Sequence, residues 1–211
     1  MNGLLTRDGA MEGRVCRTLA ELGLAPDEVA LVRSAYRLAM EPRRARLGEH
    51  DPDFLHPGRT VLVLALDAGV RNPLALAAAA LVESARPELC VPLELIGAEL
   101  GEPLARWVAS VPLSGEGAVE ALVTAPTEVC LVALAERLDH CRHAKFWSER
   151  GAQERILEEA ERVYAPLAER TDEVLARRFA HWCGAFARTL ARRVGRSAPG
   201  TERGAPSDAA E

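Results

Sequence analysis

Four side chains stand where they could do chemistry together. Glu83 closes the Ala/Leu-rich run Leu74–Val82. Such a run should be buried, and an unpaired buried carboxylate is costly, so Glu83 needs a metal ion, a cation such as Arg137, or a raised pKa. Glu136 and His140 are four residues apart, on one face of any helix that carries both. His56 stands before Pro57 at a helix start. Two imidazoles and two carboxylates form a donor set that suits a borderline-hard divalent cation. Blander readings stand beside this one. His56 alone reads as a helix-start histidine bonded to a carbonyl, and Glu136, Arg137, Asp139, His140 and Arg142 read equally as a solvated, salt-bridged helix face.

The elements that must position these residues read as helices. Ala and Leu dominate, aromatics are 4% of the chain, and no strand-like alternation is sustained. The pattern predicts helices over Arg14–Leu22 and over 27–40, with Asp27 as N-cap and Pro42 past the end. A polar loop spans 41–55. His56-Pro57 and Asn72-Pro73 open two more helices, ending near Gly69 and Ala85. Short helices follow over Pro92–Leu100 and Pro103–Val111, then a longer one over Thr127–Lys145. The last two run over 148–164, continuing past Pro166, and over 172–194, and Pro166 should kink or break the first of them. One all-α domain over 14–194 is expected, with loose ends over 1–13 and 195–211.

Composition limits the partners. The chain of 211 residues is 48% hydrophobic and 27% charged, as expected of a soluble domain with a real core. A net charge of −5 argues against general nucleic-acid binding, although arginine clusters suit a phosphorylated small molecule. Five cysteines in no zinc or CxxC spacing read as reduced thiols. No leader and no spanning run is evident, so no membrane role and a cytoplasmic location are expected. P-loop, GxGxxG, GxSxG and HExxH words are absent.

Several words, in order, resemble the HD hydrolase domain of RelA/SpoT-type alarmone enzymes. They are Ala35-Tyr36, the basic stretch Arg43–Gly48, His56-Pro57, Leu76–Leu81 followed by Val82-Glu83, Glu102–Val111, LVALAERLDHCR over Leu131–Arg142, and YAPLAER over Tyr164–Arg170. The resemblance covers about residues 28–170 and implies an HD-like helical bundle. It also implies Mn²⁺-dependent hydrolysis of (p)ppGpp or another nucleotide, through His-Pro, His-Asp and Leu-Ala-Asp-Arg-Leu ligands. Here His56 keeps its ligand identity, Val82-Glu83 stands in the place of His-Asp, and Glu136 in that of the last aspartate. One imidazole is therefore missing, and each Asp-to-Glu change lengthens the arm by about 1.5 Å. A rebuilt metal set of His56, Glu83, Glu136 and His140 would restore four ligands. The resemblance further assigns Arg44 or Arg46 to base stacking, with Arg137 and Asp139 on the substrate side; it assigns no catalytic residue, since the water-activating pair falls on Arg86-Pro87. The expectation is a degenerate domain that binds a nucleotide or a protein partner with little or no turnover. A divergent metal-dependent phosphohydrolase and a purely structural bundle are the alternatives.

Overall fold

The computed structural model describes residues 6–113 and 117–197, and among these every regular element is helical. The helices are α1 (Arg7–Glu21), α2 (Pro26–Arg46), α3 (His56–Leu66), α4 (Pro73–Leu81), α5 (Leu93–Leu100), α6 (Glu102–Ala109), α7 (Ala118–Thr124), α8 (Thr127–His143), α9 (Arg150–Glu159), α10 (Ala165–Thr171) and α11 (Glu173–Ser197). The proline-opened starts arise as the sequence suggests. Asn72 caps α4 by accepting from the Leu74 and Ala75 amides, and Pro73 needs no donor there.

Two helices form the centre. α4 is buried from Ala75 to Leu81, and its small alanines let α2, α3, α6 and α8 approach closely. α8 is buried from Val129 to Cys141 on all sides, so it carries no polar stripe facing water. The solvated-face reading of Glu136, Arg137, Asp139 and His140 is therefore overturned: all four lie in the interior.

The boundaries differ from expectation at physically instructive places. α1 begins at Arg7, because Thr6 caps it and Asp8 ties its first turn to Tyr36 and Arg44 of α2. The cap of α2 is Ala25 rather than Asp27, with the Glu28 carboxylate accepting from the Ala25 amide at 2.8 Å. Pro42 lies inside α2, which continues through Arg46; the buried Arg43 side chain anchors that extra turn. α4 stops at Leu81, so Val82 and Glu83 belong to a loop. Before Pro166 the chain passes through a π-helical turn over Ala160–Tyr164, which absorbs the expected break. α11 reaches Ser197, beyond the expected end; residues 1–5 and the expected tail from 198 on lie outside the described residues.

Candidate metal centre

The centre lies where α2, α3, the loop after α4, and α8 meet. His56, in the first turn of α3, and His140, in the last turns of α8, stack ring on ring at 4.1 Å between centroids. Each ring has a carboxylate on its Nδ1 side. His56 Nδ1 donates to Asp139 Oδ2 at 2.8 Å, which fixes the tautomer and leaves Nε2 as a lone-pair donor. Asp53 Oδ1 stands 3.7 Å from His140 Nδ1, too far for a hydrogen bond.

The carboxylates converge on His140. Its Nε2 is 3.2 Å from Glu83 Oε1 and 3.2 Å from Glu136 Oε1. Because α4 ends at Leu81, the loop can fold Glu83 back over its own chain. Its Oε1 accepts from the Ala85 and Arg86 amides at 2.9 and 3.1 Å, and its Oε2 from Arg43 at 2.5 Å. Glu136 Oε1 accepts from the Ser84 amide at 2.9 Å and from its hydroxyl at 2.6 Å. The loop thus supplies one carboxylate and orients the other.

A shell of arginines surrounds these groups. Arg59 grips Asp139 through Nε and Nη2, at 2.8 and 2.9 Å for the shorter contacts, and also donates to the Pro52 carbonyl. Arg137 lies 4.9 Å from the Tyr164 ring centroid and pairs outward with Glu159 at 3.4 Å. Burial raises the Glu83 and Glu136 carboxyls, but the surrounding cations outweigh it and hold both down at about 2. Asp139 is likewise driven low, by His56 and Arg59 against its burial. Burial disfavours a charged His140, yet Glu136, Asp53 and Glu83 together raise its pKa well above 6.5.

Four buried carboxylates (Asp53, Glu83, Glu136 and Asp139) face the guanidiniums of Arg43 and Arg137 inside and of the partly exposed Arg59 and Arg86 at the edge, so the arginines alone balance them in charge. The bonding is less complete. Both His140 nitrogens, Asp53 Oδ1 and Glu136 Oε2 are buried without a hydrogen bond of acceptable geometry. Arg137 Nε is also without one, and lies 3.9 Å from Glu136 Oε2. Donor atoms of His56, Glu83 and His140 all lie within 4.8 Å of one another. Three donors sharing one ion at about 2.2 Å are at most about 3.8 Å apart from one another, so closing this set of three takes about an ångström of movement; Glu136 adjoins it through His140. The residues present fit a divalent cation.

The expected residues divide sharply. His56, Glu83, Glu136 and His140 come together, and Asp139 backs His56. The partner suggested for Glu83 was Arg137; it is Arg43, which the pattern assigned to a loop. Arg44 and Arg46 point away from the centre: both are exposed, and Arg44 is engaged by Asp8 at 2.7 Å. Arg137 is buried against Tyr164 and does not reach an open surface. Sequence reasoning missed Asp53 and Arg59. Arg59 follows His56 by three residues on α3, a helical spacing that was an available signal, whereas Asp53 lies in the turn before α3.

Beside the centre an open cleft of about 630 Å³ is lined by Asp51, Asp53, Arg86, Glu88, Phe146 and Trp147, among others. Asp53 is the side chain that faces both the cleft and His140. Arg86 spans its mouth, contacting Asp51 at 3.2 Å and Glu88 at 3.0 Å. Neither a protein-family model nor a curated protein sequence matches the chain.

Proposed function

We propose that this chain is a degenerate HD-type domain that holds a divalent cation, Mn²⁺ by resemblance, on His56, Glu83, Glu136 and His140. It binds a nucleotide or other phosphorylated small molecule in the neighbouring cleft, with little or no turnover. One observation carries this reading: His140, one helical turn beyond Glu136, stands 3.2 Å from both Glu83 and Glu136 and stacks on His56. Low turnover follows from closure. All four donor residues are buried, whereas catalytic metal sites keep a position open to water or substrate. A bound divalent ion would supply Lewis acidity and a more acidic water. The chain's own groups orient the donors: Asp139 fixes the His56 tautomer, and Arg43 holds Glu83.

A second reading, a metal-dependent nucleotide pyrophosphohydrolase, is favoured by Asp53. Its buried Oδ1 lacks a partner beside the cleft and is placed to orient a water there, while His140 and His56 hold its carboxyl below the usual carboxylate range against its burial. The third, a purely structural bundle, requires substitutions of His56 or Glu136 to alter stability alone. Calorimetric titration of the purified protein with Mn²⁺, beside Glu83→Ala/Glu136→Ala and the milder Glu136→Gln, separates them. Micromolar binding that the variants lose supports the metal centre, and no binding up to millimolar Mn²⁺ removes it. Nucleotide binding to the loaded protein without phosphate or pyrophosphate release supports the first reading; release above background supports the second.

A further inference from the structure

On the far side of Asp139 from the stacked histidines lies a second concavity, of about 350 Å³. Four helices each bring an arginine to it: Arg14 from α1, Arg59 from α3, Arg142 from α8 and Arg178 from α11. Two carboxylates answer them. Asp67, capping α3, accepts from Arg142 at 3.0 Å and from Arg178 at 3.2 Å. Asp139 is taken by Arg59 and is turned inward to His56. Arg14 makes no hydrogen bond or ion pair among the described residues. The concavity thus keeps two positive charges beyond those its own acids neutralise, in a chain whose overall charge is −5.

We propose that this concavity is an anion site for a small phosphate-bearing molecule carrying at least two negative charges, separate from the metal centre and its cleft. Guanidinium groups present planar forks of N–H donors that match phosphate oxygens, and Asp67 can occupy only part of two such forks. The site is partly preorganised. Arg59 is only 20% exposed and is held by Asp139 and the Pro52 carbonyl, so its guanidinium is in place before a ligand arrives. Arg142 and Arg178 stand 35% and 54% exposed, free to swing from Asp67 to a ligand. The volume exceeds what one phosphate needs and is near the lower end for small-molecule sites. Leu62 and Leu66 line the same concavity and offer an apolar wall for the rest of such a molecule.

Asp67 makes the proposal testable in both directions. Inorganic pyrophosphate is titrated calorimetrically into protein stripped of metal with EDTA, so the outcome is independent of the metal-centre reading. Binding should weaken about tenfold or more in Arg142→Ala/Arg178→Ala, since each removes a charge-assisted hydrogen-bonding partner. Asp67→Asn should instead tighten it several-fold, because it releases two guanidiniums from their internal competitor. A gain of binding cannot come from a misfolded variant. The proposal is overturned if the unaltered protein takes up no pyrophosphate at millimolar concentration. It is equally overturned if the double variant binds as the parent does, which would move the anion to the Arg86 cleft.

Discussion

Replacing Arg43 by methionine tests the charge logic of the centre most directly. The Arg43 and Glu83 side chains are 2% and 1% exposed, so water does not screen their 2.5 Å contact. Methionine roughly preserves the aliphatic stem and removes the charge, leaving Glu83 ionised and buried without its guanidinium. Removing one partner of a buried pair costs roughly 3–5 kcal/mol, a large part of the roughly 5–15 kcal/mol that holds a domain folded. The lost bonds to the Ala39 and Asp53 carbonyls (3.0 and 3.4 Å) are secondary, since both acceptors are neutral. Urea unfolding followed by circular dichroism at pH 7 in EDTA reads the loss. Adding Glu83→Gln to the same chain should recover more than half of it, because a carboxamide tolerates the vacated position better than a carboxylate. A loss for Arg43→Met below about 1 kcal/mol, or strictly additive single losses, would refute the assignment of Arg43 as the neutralising partner.

Four further outcomes are expected. Asp139→Asn should weaken Mn²⁺ binding by roughly 10–100-fold in calorimetry, because the His56 tautomer is then no longer fixed by a carboxylate. Mn²⁺ affinity should rise with pH, by about tenfold per unit while His140 remains protonated, with proton release visible as a buffer-dependent heat. In EDTA, stability at the acid end also rises with pH. Glu83 and Glu136, held at about 2 against an ordinary 4.5, contribute stability that is present above 4.5 and lost as pH falls toward 2, which an acid titration of ellipticity follows. Gly58→Ala should lower the thermal midpoint, since its Cβ would stand 2.4 Å from Met11 Cγ and 3.0 Å from the buried Tyr36 ring, costing roughly 1–3 kcal/mol of overpacking.

Much of the scaffold was legible in the sequence because its signals are local. Asn72-Pro73 announces a capped helix, and the Ala/Leu run after it announces burial; both hold in α4. His56, Glu83, Glu136 and His140 were legible as a candidate donor set, with Glu136 and His140 joined by their spacing. What was not legible depends on tertiary override of local rules. Pro42 is a stop signal by propensity, yet α2 runs through it because Arg43 finds Glu83 across the bundle, forty residues on. The same override hid the fate of α8. A stretch with Glu136, Arg137, Asp139 and His140 on several faces reads as solvated until each charge is matched by a group from another helix. Arg44 and Arg46 attracted attention for their residue type, but a basic stretch says nothing about which of its members turns inward.

The donors come from positions 56, 83, 136 and 140, so the centre joins segments up to eighty-four residues apart along the chain. In the unfolded chain these groups are dispersed, and no short peptide of this sequence contains the set. A cation held there acts as a removable cross-link between the first half of the chain and α8. Its binding free energy would be added to the folding of the whole bundle, in proportion to the logarithm of metal concentration above the dissociation constant. Local fraying of α1 or α11 leaves that link intact, whereas separating α3 from α8 breaks it. Were the proposed cation held there, metal availability would set how often the folded chain opens globally.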